Sequence, residues 1–161
     1  MKQPEEIFEY IKPHYPEDKL EFYGDGKVEP WIIVAPDIIN ELCKFLRDDD
    51  ELGFNYLMCL SGVHYPKENQ LGVTYHLNST NLKHKITLKV LVPEDDPSVN
   101  SVQAVWKTAN WHEREAYDMF GIIFENHPDL YRILCPDDWE GYPLRKDYET
   151  PEFYHGIKLP Y

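Results

Sequence analysis

Apolar positions recur along this chain in two distinct periods, and most of the predicted elements follow from them. Ile7, Phe8 and Ile11 fall on one face of a short helix over 4–12, which Pro13 stops. Leu20–Tyr23 and Trp31–Val34 are short apolar runs flanking the turn residues Gly24-Asp25-Gly26, the pattern of two strands. Ala35-Pro36-Asp37 then opens a helix whose buried face is Ile38, Ile39, Leu42, Phe45 and Leu46. Three more strands are predicted over 54–60, 73–78 and 83–92. The last alternates cleanly, with Ile86, Leu88, Val90 and Val92 on one side and Lys85, Thr87, Lys89 and Leu91 on the other. After a loop at Asp95-Asp96-Pro97-Ser98, a long helix is predicted from Ser101, as its cap, to Phe120, with Gly121 ending it.

Sequential strands mostly pair antiparallel, so the expected fold class is α+β, a mixed and largely antiparallel sheet with helices packed on it. The domain is expected to span 1–120. Beyond Gly121 the texture changes: Pro128, Pro136, Pro143, Pro151 and Pro160 interrupt any period, yet Phe124, Leu130, Ile133, Leu134, Trp139, Leu144 and Phe153 are too many apolar residues for a solvated tail. Residues 121–161 therefore read as an irregular, Pro-rich docking segment lying along its own domain or a partner. Arg132, Arg145 and Lys146 in it are expected to pair with carboxylates, some internal (Asp137, Asp138, Asp147) and others on the partner.

Charge changes this picture mainly by exclusion. The 161 residues carry a formal net charge of −13, which repels nucleic acid. The nearest thing to a basic patch, Lys83, His84, Lys85 and Lys89, reads as the solvent face of a strand. No apolar run is long enough to span a bilayer, and the Met-Lys-Gln-Pro-Glu-Glu start is neither a signal nor a transit peptide, so a cytosol-like compartment is expected. Cys43, Cys59 and Cys135 lie far apart without a CxxC pair and are expected to be buried, unpaired hydrophobes. Aromatic residues make up 14% of the chain, which suits a core and a protein surface equally.

The search for chemistry ends mostly in absences. His112-Glu113 begins an HExxH pattern, but position 116 is Ala, so the second zinc ligand is missing. There is no phosphate-binding glycine loop and no nucleophile elbow. What remains is a dense cluster on one predicted helix: Trp111, Glu113, Arg114, Glu115 and Asp118. Spacings of three and four put Arg114, Glu115 and Asp118 on a shared face. Three readings stay open for it: a solvated charged face, an acid–base carboxylate pair, or a buried junction in which Arg114 bridges carboxylates and fixes register.

The run Asn110-Trp-His-Glu-Arg-Glu-Ala-Tyr-Asp-Met-Phe-Gly-Ile-Ile-Phe124, followed by His127-Pro-Asp-Leu-Tyr-Arg-Ile-Leu-Cys-Pro-Asp-Asp-Trp-Glu-Gly-Tyr-Pro-Leu-Arg-Lys-Asp-Tyr148, closely resembles the 30 kDa subunit of respiratory complex I, the proton-translocating NADH:quinone oxidoreductase. Phe45–Leu52, Val73–Leu77 and Pro97–Val102 are also similar to that family. The resemblance implies a protein without catalytic, cofactor or metal residues, in a complex whose FMN and Fe–S clusters sit on other subunits. It implies docking against the hydrogenase-like 49 kDa subunit and its peripheral-arm neighbours, on the cytoplasmic side of the bacterial inner membrane. On this resemblance the interface residues are Trp111, Glu113, Arg114, Glu115, Asp118, His127, Arg132, Trp139, Arg145, Lys146 and Asp147. The chain's end at Tyr161 is expected to mark a form not fused to the 49 kDa protein. The alternatives are the equivalent subunit of a ferredoxin- or F420-fed relative or a membrane-bound hydrogenase, a stand-alone enzyme using Glu113, Glu115 and Asp118, and a free-standing acidic adaptor. A hydrogenase-like large subunit in a neighbouring reading frame would separate the first reading from the last two.

Overall fold

A computed structural model describes residues 1–24, 26 and 29–159. Helix α1 (Pro4–Ile11) begins with Pro at its first turn and a capping box in which Glu6 reaches back to the Gln3 backbone N–H at 2.6 Å. A 3-10 turn over Lys12–His14 closes it. Strands β1 (Leu20–Tyr23) and β2 (Trp31–Val34) pair antiparallel, and helix α2 (Ile39–Asp48) follows. Asp25 of the expected turn between the strands lies outside the described residues. Strands β3 (Tyr56–Tyr65), β4 (Gln70–Asn78) and β5 (Lys85–Pro93) form an antiparallel meander. β5 also runs parallel to β2, giving one five-stranded sheet in the order β1-β2-β5-β4-β3. The chain is thus an α+β fold on a mixed, mostly antiparallel sheet.

Alternation along the strands places the core on one face. Ile32, Val34, Leu71, Val73, Tyr75, Leu77, Leu88 and Val90 are fully or almost fully buried there, with Ile7, Ile11, Ile39, Leu42 and Leu46 from the helices. Burying each such side chain stabilises the fold by about 1.5–3 kcal/mol before the entropy cost. On the opposite face Tyr23 stacks on Trp31, with ring centroids 5.7 Å apart, and Lys89 lies 3.6 Å from the centre of the Trp31 ring.

Four sequence expectations are corrected here. β3 runs on through Ser61-Gly62 to Tyr65 rather than ending at Leu60. Gly62 is needed there because an added Cβ would sit 2.5 Å from the Phe120 ring. The long helix begins at Ala109, as α3 (Ala109–Phe120), not at Ser101. Residues 98–100 instead form β6 (Ser98–Asn100), paired in parallel with β7 (Ile123–Glu125), and the turns between bury Val102, Val105 and Trp106. The Trp106 indole N–H donates to the Phe54 carbonyl at 3.0 Å, and Arg47 donates to the Val105 carbonyl at 3.0 Å. These tertiary bonds outweigh helix propensity over 101–108. His84, expected on a solvent face, is buried, and its Nε2 lies 2.5 Å from the Leu52 carbonyl. Of the cysteines only Cys43 is buried; Cys59 and Cys135 are partly exposed.

The segment after Gly121 starts inside the folded body: Ile122 and Phe124 are core residues, with 0% and 2% exposure. Beyond β7 the chain is irregular until a small hairpin of β8 (Phe153–Tyr154) and β9 (Ile157–Lys158).

Candidate docking site

Helix α3 stops at Gly121, whose φ of +75° and N–H bond to the Tyr117 carbonyl (2.8 Å) make a left-handed cap. The carbonyls of the final turn then lack intrahelical partners. The irregular strap from Leu130 to Tyr148 supplies them. Arg132 donates to the Asp118 carbonyl at 3.0 Å, Leu144 N–H to Met119 at 3.1 Å, and Arg145 Nε–H to Phe120 at 2.7 Å. Two guanidinium groups at a helix C-terminus also suit its negative dipole end. The Tyr142 ring lies where a Cβ on Gly121 would fall, 2.5 Å away, so the strap packs directly on the cap.

Asp118 anchors the other half of the strap. Fully buried, its Oδ2 accepts the backbone N–H groups of Ile133, Leu134 and Cys135 at 2.9, 2.6 and 3.0 Å, while Oδ1 pairs with Arg132 at 2.8 Å. Burial opposes ionisation, but the three N–H bonds and Arg132 outweigh it and hold the carboxyl below the usual aspartate range. Arg145 pairs with Glu94 at 3.2 Å. The expected carboxylate partners of Arg132 and Arg145 are thus Asp118 and Glu94, neither of them among the internal acids named from sequence.

The strap's far end lies on β3. Lys146 N–H donates to His64 Nδ1 at 2.9 Å, which places the ring proton on Nε2, 3.5 Å from Glu94. His64, Glu94 and Asp147 are grouped closely enough to suggest metal ligation. The lone pair of Nδ1 is already taken by Lys146, and Arg145 occupies Glu94, so the donors fit a latch rather than an ion. Further on, the Trp139 indole N–H donates to the Tyr148 hydroxyl at 3.0 Å, and the Trp139 ring meets Tyr154 at 5.2 Å.

Glu113 faces the opposite way on α3. It is fully buried, accepting from Ser101 Oγ at 2.6 Å and Val102 N–H at 2.7 Å, with His127 Nε2 3.9 Å away. Burial pushes this carboxyl up to about 7, against the pull of those two hydrogen bonds. His127 lies 3.3 Å from the Asn110 carbonyl through Nε2 and accepts the Asp129 N–H through Nδ1 at 3.1 Å, a neutral ring whose pKa burial holds down. Glu113 pins α3 to the end of β6.

Among the described residues Arg114 has no carboxylate within ion-pair distance. Asp118 turns to Arg132 instead, while the Arg114 guanidinium lies 4.8 Å from the Trp111 ring centre and 3.7 Å from that of Tyr131. Glu115, Lys146 and Asp147 are exposed, and Trp111 is 64% exposed. The structure therefore gathers Asp118, Arg132 and Arg145 around the helix end, Glu113 and His127 on its inner side, and Trp111 and Arg114 outside. Trp139 stands apart with the C-terminal hairpin. Sequence reasoning passed over Tyr131, Glu94 and His64; only Tyr131, an aromatic beside Arg132, carried a sequence signal.

The fold and this arrangement define an α+β protein whose buried charges hold an irregular strap over a helix terminus. The chain belongs to the family of the respiratory-chain NADH dehydrogenase 30 kDa subunit, whose family model matches residues 32–154. A relative from Chlorobium phaeobacteroides, a C-type subunit of NADH-quinone oxidoreductase, is 51% identical over 146 residues, covering 89% of this chain and 88% of its own. The corresponding protein of Chloroherpeton thalassium is 58% identical over 143 residues, or 88% of this chain, which spans 56% of that relative. Among solved structures, a trypsin-resistant fragment (1-134) of Nqo5 superposes with a TM-score of 0.65 at 29% identity, covering 78% of this chain and 98% of the fragment. A chain from an archaeal membrane-bound sulfane sulfur reductase superposes at 0.74 with 25% identity, covering 91% of this chain and 85% of its own.

Proposed function

We propose that this chain is a non-catalytic scaffold subunit of the peripheral arm of a proton-translocating NADH:quinone oxidoreductase. Its task is to hold the hydrogenase-like 49 kDa subunit in register, while electrons pass from NADH through FMN and Fe–S clusters on other subunits to quinone. The observation that carries this reading is the use of the charged groups: Asp118, Arg132 and Arg145 are consumed in positioning the strap, and Glu113 in pinning α3 to the end of β6. Outside them Trp111, Tyr131, Leu134 and Leu144 remain 48–64% exposed, residue types that suit a protein interface. The names of relatives at about half identity favour the NADH-fed complex over its ferredoxin-, F420- or hydrogenase-type counterparts. No helix among the described residues is long and apolar enough to cross a membrane; in this reading the chain sits peripherally, on the cytoplasmic side of the inner membrane.

In this reading the docking role of 121–161 falls to the part beyond β7, and Glu115, Trp139, Lys146 and Asp147 belong to the same interface. The test is the chain lacking residues 136–161, co-expressed with its large partner and examined by co-purification and circular dichroism. The expected outcome is a folded spectrum with loss of the partner. Retention at the full-length level overturns the docking role.

A further inference from the structure

Arg47, Arg132 and Arg145 each lie within ion-pair distance of a carboxylate of this chain, at 2.6, 2.8 and 3.2 Å. Arg114 has no such partner among the described residues, although it is only 5% exposed. Its hydrogen bond is a long one, Nε–H to the Tyr131 carbonyl at 3.4 Å. In a chain of net charge −13 this is a conspicuous choice, because a nearly buried guanidinium without an anion is costly. The Trp111 and Tyr131 rings offset part of that cost through their faces, which leaves the in-plane N–H fork free. Among the described residues the terminal nitrogens of Arg114 have no hydrogen-bond acceptor, and the side chain keeps a narrow exposed edge. It emerges between two aromatic residues that are 64% and 48% exposed.

We propose that Trp111, Arg114 and Tyr131 form a receptor for one carboxylate side chain, an Asp or Glu of the partner protein, bound in bidentate fashion by Arg114 and covered by the two rings. The assignment rests on the scaffold reading and names the chemistry of its contact. Charge complementarity selects the occupant. The guanidinium fork matches a carboxylate, while the acidic surroundings, with Glu115 and Asp129 both exposed nearby, repel a polyanion such as nucleic acid or an anionic membrane. Trp, Tyr and Arg are also the side chains that most often dominate interface energetics.

The test uses the full-length chain co-expressed with its large partner. Arg114→Gln is expected to weaken association about 30-fold or more, the loss typical of truncating one partner of a buried charge pair, with the melting temperature of the free chain nearly unchanged. Trp111→Ala, at an exposed position, is expected to weaken it less. In the complex carrying Arg114→Lys, a water-soluble carbodiimide is expected to join position 114 to an Asp or Glu of another protein of the complex, read as an isopeptide by mass spectrometry. Wild-type retention by both Arg114→Gln and Trp111→Ala overturns the receptor, as does a cross-link from position 114 confined to this chain. Failure of the wild-type chain to assemble overturns the scaffold reading and the receptor with it.

Discussion

Asp118 and Arg132 meet at 2.8 Å across the end of α3, the carboxylate fully buried and the guanidinium side chain 13% exposed. The pair is stabilising because both partners make further hydrogen bonds at the helix end. Asp118 takes three further N–H bonds from the strap, and Arg132 donates again to the Asp118 and Gly141 carbonyls, both at 3.0 Å. Removing one charge should therefore cost more than the pair itself is worth.

Asp118→Asn is expected to destabilise the chain by about 3–5 kcal/mol, since it leaves Arg132 partly buried without a counter-charge. Urea denaturation measures this. The sign with pH follows from a folded-state pKa below the unfolded one: the contribution is present above the unfolded aspartate value and is lost as pH falls through the folded one. The acid limb of the wild-type stability curve should be shallower in the variant.

Glu113 acts in the opposite sense. Its folded pKa of about 7 lies above the ordinary 4.5, so its contribution is complete below 4.5 and declines as pH rises toward 7. The decline is about 3 kcal/mol over that window, at roughly 1.4 kcal/mol per pH unit. Glu113→Gln is expected to remove that slope in unfolding curves recorded between pH 4.5 and 8. An unchanged slope would assign it to another group.

Gly121→Ala combines a left-handed backbone with a clash against the Tyr142 ring. A destabilisation of about 1–3 kcal/mol is expected, with faster proteolysis within 130–148. Adding Tyr142→Ala should recover the steric part but not the backbone part, which thermal melts of the two variants can separate.

Cys43 is completely buried, and burial drives its thiol far above the ordinary range. Iodoacetamide should modify Cys59 and Cys135 in the native chain and reach Cys43 only after unfolding. Peptide mass spectrometry gives the order. Prompt native labelling of Cys43 would contradict the packing of α2 on the sheet.

Short-range order is legible in the sequence alone. The 2-residue alternation of β5 and the apolar stripe of α2 are properties of neighbouring residues, and so is the Gly121 stop. The run from Asn110 to Tyr148 pointed to the family without any structure. The folded chain decided what the charges do. Spacing put Arg114 beside Asp118 on one helix face, yet Asp118 chose Arg132, fourteen residues on, because the strap brings three backbone N–H groups along with it. Ser101 has the residue type of a helix cap, but residues 98–100 pair with β7 as β6, α3 starts only at Ala109, and the Ser101 hydroxyl donates to Glu113. A side chain's partner depends on which distant segment offers the most donors in one place. That is a property of tertiary packing, and no local window of sequence contains it.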